Sequence, residues 1–166
     1  MTVKNNYLLK THDMFFQRTV ALNDEVKALS EKLSHEEWHQ HETVKLAKRV
    51  YTATLDTIPQ NPNDPAYYLK DDLKKYRRYK QGLERYRLFF AFSSAAKIIL
   101  YLYLNDRDTL RKEGAANDPY EIFKGFVRQG RISHDPLDPR IQKWIREYQP
   151  AARLPKIGTV WTPTVT

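Results

Sequence analysis

Hydrophobic residues in the first third of the chain repeat with the period of amphipathic helices. The apolar positions of residues 14–33 follow the 3.6-residue spacing, and we expect a helix there, after a short strand at residues 7–10. Ser34 and Glu37 form the S-x-x-E capping-box pattern, which predicts a second helix that extends to Ile58. That helix should end in a turn-rich loop marked by three prolines, Pro59, Pro62 and Pro65.

The pattern then changes to the two-residue alternation that is typical of β-strands. Residues 75–81, 85–93 and 97–104 predict three strands of an antiparallel meander with tight connections. In the second strand, successive side chains point alternately to the two faces of the sheet. One face should therefore pack on a core, and the other should present the functional residues. The third strand is apolar on both faces and should therefore be the central strand of the sheet.

Two Asp-Pro pairs predict helices near the end of the chain. Asp118 followed by Pro119 is typical of a helix start, and we expect a helix over residues 119–129. Asp138-Pro139 repeats this signature. A short last helix should therefore carry four apolar or aromatic residues, Ile141, Trp144, Ile145 and Tyr148.

The order of these elements predicts an α+β protein, with helices first, then a meander, then a packing helix. We expect residues 1–149 to form one domain, because a typical domain holds roughly 100–150 residues. Residues 150–166 contain three prolines and few periodic positions, and should form a loosely ordered extension.

Composition excludes several kinds of site. The chain of 166 residues has no cysteine, which rules out disulfide bonds, cysteine-ligated zinc, iron–sulfur clusters and a cysteine nucleophile. The N-terminus lacks the apolar stretch of a secretory signal. The most apolar run, residues 98–104, is far shorter than the roughly 20 residues that span a bilayer. We therefore expect a soluble, cytoplasmic protein that does not act at a membrane.

The net charge of +8 is concentrated in one quarter of the chain. Residues 70–112 carry 12 basic and 5 acidic side chains, whereas the flanking segments are close to neutral. A localised basic surface favours a polyanionic partner, although a run of charge is more often a solvated face. Tyrosines and phenylalanines interleave with these cations, and such a mixture is typical of surfaces that stack single-stranded bases.

Residues 35–39 match H-E-x-x-H, the zinc-protease motif, but their context argues against a metal site. The capping box places His35 in the first helical turn, where Glu36 and Glu37 are explained as acids that match the helix dipole. The third histidine of that protease class would fall at position 45, which is Lys45. We therefore expect no metal site here.

A tight turn at Gly82-Leu83 would set Arg78 opposite Arg87 and Lys80 opposite Arg85. Like charges directly opposed destabilise a sheet by roughly 0.2–1 kcal/mol per pair. A bound phosphate would compensate this repulsion, so we interpret the four cations as an anion-binding site. A different strand register would remove the repulsion without a ligand. So would neutralisation by nearby acids, Asp71, Asp72 or Glu84.

Several stretches resemble a known family. They are the run E-R-Y-R-L-F-F at residues 84–90, the strand K-I-I-L-Y-L-Y-L-N-D at 97–106, Thr109-Leu110-Arg111, Gly114, and D-P-Y-E-I-F at 118–123. Together these residues are similar to the YhaV toxins, which belong to the RelE superfamily of bacterial type II toxin–antitoxin systems. The resemblance is strongest over residues 76–130.

The resemblance implies a RelE-like fold and a ribosome-associated endoribonuclease that cuts mRNA without metal or cofactor. In such enzymes a 2′-hydroxyl attacks the adjacent phosphate and leaves a 2′,3′-cyclic phosphate. Basic residues dominate the active site. The positions that match are Arg78, Lys80, Arg87, Arg107 and Arg111, and the last two are alternatives for one cation beyond the third strand. We expect further RNA contacts from Lys74, Lys75, Arg77, Arg85, Tyr86 and Tyr120.

The acid–base group is where this chain departs from its relatives. YhaV toxins often carry a tyrosine immediately before the glycine, and here that residue is Glu113. Glu113, Tyr120 or Lys80 could therefore move the proton. Tyr120 has a structural alternative, as a helix residue that packs beside Phe123.

The resemblance also implies partners. We expect a cognate acidic antitoxin with a PrlF- or AbrB-like domain, and promoter DNA bound only by the toxin–antitoxin complex. The alternative function is a non-catalytic inhibitor or RNA-binding module on the same scaffold. The related ParE toxins, which inhibit DNA gyrase, dispense with the nuclease cations, whereas this chain retains them.

Overall fold

A mixed β-sheet forms the centre of the computed structural model, which describes residues 1–149. Its strands lie in the order β1, β2, β5, β4 and β3, and β6 also pairs with β2. The strands are β1 (Val3–Lys4), β2 (Tyr7–His12), β3 (Arg77–Tyr79), β4 (Leu88–Ser93), β5 (Ile98–Leu104) and β6 (Ile145–Glu147). The helices are α1 (Asp13–Lys32), α2 (His35–Gln40), α3 (Glu42–Thr52), α4 (Ile58–Gln60) and α5 (Pro119–Arg128). The predicted α+β class is confirmed, and the predicted extension at 150–166 lies outside the described residues.

The helix starts follow the local capping signals. The Ser34 hydroxyl accepts a hydrogen bond from the Glu37 N–H at 3.2 Å, and the Glu37 carboxylate accepts one from the Ser34 N–H at 3.1 Å. The predicted capping box is thereby confirmed. The single long second helix is wrong, because His41 is extended and its Nδ1 accepts from the Thr43 N–H, which starts α3 as a new helix. A π-helical segment, Ala53–Thr57, then joins α3 to α4.

The predicted meander is present, with β5 in the interior of the sheet as expected. The predicted register between its first two strands is wrong: Arg78 lies opposite Phe89, and Arg77 opposite Phe90. The connection is longer than a tight turn, because it contains two successive turns and positive-φ residues at Gly82 and Glu84. The shift amounts to two residues, so the direct pairs of like charges disappear while Arg78 and Arg87 keep a common face.

Alternate residues of the sheet enter two separate cores. Leu88 and Phe90 pack with α1 and α3 on one side, which we call the helical face. Phe89 and Ala91 pack on the other side, where Phe123 of α5 stacks on Phe89 with 4.2 Å between ring centroids. We call this the α5 face.

The predicted last helix is wrong. Residues Gln142–Trp144 form only one 3-10 turn, and β6 follows it as a strand that pairs antiparallel with β2. Tyr148 then enters the core, where its hydroxyl lies 2.9 Å from that of Thr54. Pairing with the free edge of β2 therefore outweighs the local helix signal. No helix among residues 1–149 is long and apolar enough to cross a membrane.

Candidate active site

A cleft of about 680 Å³ opens on the α5 face, beyond the point where α5 covers the sheet. Arg78 of β3, together with Lys80 and Arg87 between β3 and β4, forms one wall, and the segment that leads into α5 forms another. Six of the predicted catalytic or RNA-binding side chains line it: Arg78, Lys80, Arg87, Arg111, Glu113 and Tyr120. Asp71 and Asp72, the acids that could neutralise the cations, line it too but form no ion pair with them. Residues up to 42 positions apart in sequence therefore meet at one place.

Arg78 on β3 is held by two hydrogen bonds that leave its charge uncompensated. Its Nη1 donates to the Tyr120 hydroxyl at 3.2 Å, and its Nη2 donates to the Ala66 carbonyl at 3.0 Å. Both acceptors are neutral. The guanidinium is thus oriented from two sides while it keeps its full charge for an anion.

Arg87 is oriented in the same manner just before β4. Its Nη1 donates to the carbonyls of Glu84 and Tyr86, at 2.6 and 2.8 Å. Within residues 1–149, no ion pair is formed by Arg78, Lys80 or Arg87. Three cations without a carboxylate partner are therefore available on one wall of the cleft.

Arg111 is different, because it has an acidic partner. Its Nη1 lies 2.7 Å from the Oδ1 of Asp118, and its guanidinium lies 4.9 Å from the centroid of the Tyr120 ring. The hydrogen bond to Asp118 raises the pKa of Arg111 above its ordinary value, so the guanidinium stays charged. The stack and the ion pair together fix it at the side of the cleft that faces α5.

Asp118 is the anchor of this side, and the sequence predicts only part of its role. Its Oδ2 accepts from the Tyr120 N–H at 3.0 Å, which confirms the predicted N-cap of α5. Its Oδ1 also accepts from the Lys112 N–H at 2.7 Å, besides the contact with Arg111. One buried carboxylate therefore positions both Arg111 and Tyr120. The spacing of seven residues between Arg111 and the cap is the only signal in the sequence.

Asn105 is a second anchor, and no sequence motif predicted its role. It is fully buried, and its Oδ1 accepts from the Arg87 N–H at 2.6 Å. Its Nδ2 donates to the carbonyls of Arg85 and Thr109, at 3.2 and 2.7 Å. Because these bonds join the start of β4 to the loop after β5, Asn105 sets the distance between Arg87 and Arg111.

The remaining predicted site residues lie elsewhere. Arg107 forms an ion pair with Glu25 of α1 at 3.0 Å, so the structure brings Arg111 and not Arg107 to the cleft. Arg85 donates from Nε to the Arg111 carbonyl at 3.1 Å, and Tyr86 packs against the core of the helical face. The other cations line a separate shallow depression beside His134: Lys74, Lys75 and Arg77.

The H-E-x-x-H histidines lie on α2 and do not line the cleft. The His35 and His39 rings are 4.5 Å apart, and the Nδ1 of His39 is within 2.7 Å of the Lys48 ammonium. No group of three or more His, Cys, Asp or Glu side chains in the described part of the chain could hold a metal ion.

Comparison with known proteins finds a family and curated relatives that match most of the chain. Residues 9–142 match the YhaV toxin family, which is described as a toxin with endonuclease activity, of toxin–antitoxin system. The chain is 34% identical over 139 residues to Toxin YhaV of Escherichia coli O6:H1, which covers 81% of this chain and 88% of that protein. It is 33% identical, with the same coverage, to Ribonuclease toxin YhaV of Escherichia coli K12. No solved structure matches this chain significantly.

Proposed function

This chain belongs to the YhaV family of toxins with endonuclease activity, and from that premise we propose that its cleft is the active site of an endoribonuclease. One observation carries the proposal: Arg78, Lys80 and Arg87 converge in the cleft with no carboxylate partner in residues 1–149. Cations that line one cleft without an ion-pair partner are suited to bind the negative charge of a phosphodiester. We also infer that the fold is RelE-like, as the resemblance implies.

The reaction that these residues suit is an internal transesterification of RNA. The ribose 2′-oxygen forms a bond to the adjacent phosphorus, and the bond from phosphorus to the 5′-oxygen of the next nucleotide breaks. The 2′-hydroxyl gives its proton to a base, and the departing 5′-oxygen receives one from an acid. The products are a 2′,3′-cyclic phosphate and a 5′-hydroxyl.

Negative charge builds up on the non-bridging oxygens as the bond to the 2′-oxygen forms. Guanidinium groups that are already oriented stabilise this charge without reorganisation, because each presents N–H donors in a fixed plane. Arg78 and Arg87 fit this role, since hydrogen bonds to backbone carbonyls or to Tyr120 already orient each guanidinium, while the Nε of each has no partner in the described residues. Lys80 adds a mobile positive charge at the same wall.

Three groups at the cleft have the chemistry to move protons: Glu113, Tyr120 and Lys80. Glu113 is exposed at the cleft, and a carboxylate is one of the side chains that act as a general base. The Tyr120 hydroxyl is bound to Arg78, which favours it as a group that positions the arginine or donates to the leaving oxygen. We assign the base to Glu113, and Glu113→Gln should remove most of the cleavage rate while RNA binding is kept.

The decisive experiment is analysis of RNA ends. Purified protein should cut a transcript in excess EDTA and leave a 2′,3′-cyclic phosphate with a 5′-hydroxyl. Cleavage that stops in EDTA and returns with Mg²⁺ or Zn²⁺ would overturn the metal-independent mechanism. Ribosomes should accelerate the reaction if the proposed association with translating mRNA holds.

The expected antitoxin follows from the hazard of a free nuclease. We propose a cognate acidic protein with a PrlF- or AbrB-like domain that covers or distorts the cleft, and that brings promoter DNA to the complex. Co-expression of the protein from the adjacent reading frame should relieve growth arrest and yield a stable complex. A neighbouring protein that neither binds nor relieves arrest would contradict this partner.

A further inference from the structure

Tyr68 is an exposed aromatic residue at the rim of the cleft. Its side chain is 47% exposed, whereas most of the large apolar side chains in residues 1–149 are buried. It lines the same cleft as Arg78 and Lys80. Its backbone is tied to the edge of the sheet through an antiparallel bridge to Arg77. The ring is therefore presented at a defined place beside the proposed phosphate site.

Arg77 supports this ring from behind. The guanidinium lies 4.8 Å from the centroid of the Tyr68 ring and 5.6 Å from that of Phe92. It is held there by hydrogen bonds from Nη1 to the carbonyls of Lys74 and Tyr76, at 3.1 and 2.9 Å, and from Nη2 to Asn63 Oδ1 at 3.1 Å. A cation that stacks on one face of an aromatic ring fixes the orientation of that ring. Less conformational entropy is then lost when a ligand stacks on the other face of the ring.

We propose that Tyr68 is a stacking platform for a nucleobase of single-stranded RNA that flanks the phosphate bound by Arg78 and Arg87. The inference rests on the proposed function and adds a base-binding subsite to it. A ring with one supported face and an exposed remainder, next to uncompensated cations, combines the two elements of single-strand recognition, stacking and a basic groove. Arg77 thereby becomes a positioning residue that acts through Tyr68.

The test uses full-length protein and an RNA that binds without being cut. Once the cleavage site of a transcript is mapped, an oligonucleotide of that sequence is made with 2′-O-methyl ribose and with 2-aminopurine on either side of the scissile phosphate. Stacking on Tyr68 should quench 2-aminopurine fluorescence. Tyr68→Ala should abolish that quenching and weaken binding about 10-fold, since stacking on one aromatic ring commonly changes affinity by roughly 5- to 100-fold.

Two further variants separate stacking from bulk. Tyr68→Trp should retain quenching and affinity, because it keeps an aromatic face. Tyr68→Leu should behave like Tyr68→Ala, although it fills similar space. Leu137→Ala is the matched control, since Leu137 is an equally exposed apolar residue, 53% exposed, that does not line the cleft. It should leave both signals unchanged.

Each outcome decides between the proposals. If the wild type binds RNA and Tyr68→Ala shows the same quenching and affinity, Tyr68 is not a stacking platform, and the proposed active site is unaffected. A wild-type protein that neither binds nor cuts RNA would overturn both. A Tyr68→Ala protein that binds RNA normally but loses affinity for the antitoxin would assign Tyr68 to a protein interface instead. Tyr68→Leu keeps the test valid if the alanine variant fails to fold, because it too should lose quenching and affinity.

Discussion

The two faces of the sheet differ in how their polar side chains are partnered. On the helical face, neutral hydroxyl groups are buried with hydrogen-bond partners: the Tyr51 hydroxyl donates to the Asn23 Oδ1 at 3.0 Å, and the Tyr101 hydroxyl donates to the Thr54 carbonyl, although the Asn23 Nδ2 has no partner in the described residues. On the α5 face, Arg78, Lys80 and Arg87 lie at the edge of the core without an ion-pair partner in the described residues. The first arrangement stabilises the fold, and the second leaves electrostatic energy available to a ligand.

Around the start of strand β4, a residue of the cleft and a residue of the core are only two positions apart in sequence. Arg87 immediately precedes the strand and lines the cleft, while Phe89, two residues later, is fully buried under Phe123. Both side chains lie on the α5 face, and only the position of α5 separates them. Coverage by a helix, and not the strand itself, therefore decides which residues of this face form core and which form the cleft.

The largest expected effect lies on the helical face. Phe90→Ala should lower the free energy of unfolding by about 3–5 kcal/mol, because it leaves a cavity at a fully buried position. Below its melting temperature the variant should retain near-normal cleavage per folded molecule. Urea unfolding and cleavage assays on one preparation measure both quantities. A loss under about 1 kcal/mol would show that this core is not tightly packed.

Arg78→Ala should show the reverse behaviour on the α5 face. Loss of one charge-stabilising donor commonly reduces the rate by about 10²–10³, so growth arrest should disappear. The two hydrogen bonds to Tyr120 and the Ala66 carbonyl are worth about 1 kcal/mol each, so the melting temperature should fall by only about 4–8 °C and the protein should stay folded. Arg78→Lys keeps the charge and is the matched control. Full arrest by a normally folded Arg78→Ala protein would exclude this arginine from the chemistry.

Asp118 contributes to stability as the N-cap of α5 and to activity as the partner of Arg111, and two substitutions should separate these contributions. Asp118→Asn keeps a good N-cap but loses the charge that holds Arg111, so cleavage should fall roughly 10- to 100-fold while the melting temperature is nearly kept. Asp118→Ala should additionally lose about 1 kcal/mol of stability. The readouts are kcat, KM and thermal unfolding. Wild-type kcat in both variants would show that the position of Arg111 is unimportant.

The smallest effect concerns His12, the N-cap of α1. It is buried, its Nδ1 accepts from the Met14 N–H at 3.1 Å, and its Nε2 lies 2.8 Å from the Arg131 carbonyl, so the neutral Nε2–H tautomer fits both contacts. Burial lowers the pKa of His12 below its ordinary value of 6.5. Its contribution to stability is therefore complete above about pH 6.5 and decreases as the pH falls, since the unfolded chain takes up the proton first.

Unfolding free energies measured between pH 8 and pH 5 test this sign. His12→Asn keeps a capping side chain that does not titrate, so its stability should fall less with acid than that of the wild type. Parallel curves for the two proteins would contradict a titrating cap at His12.

Much of the candidate site was predictable because its members are close in sequence to strong local signals. The basic segment 70–112 and the Asp118 cap were visible in the chain, and four of the five cations predicted in the active site reach one cleft. The choice between Arg107 and Arg111 was not predictable. It depends on two ion pairs that form only in the folded molecule. Arg107 pairs with Glu25, which is 82 residues away, and Arg111 pairs with Asp118, which is 7 residues away.

The sequence by itself determined the α+β class, the helix starts at Ser34 and Asp118, and the interior position of β5. Each depends on hydrogen bonds within one turn of helix, or on the alternation of side chains along one strand. Tertiary structure alone decided the register of β3 on β4 and the pairing of β6 with β2. Such pairings join backbones that are distant in the chain, and their energies depend on which partner edge is free once the sheet has formed.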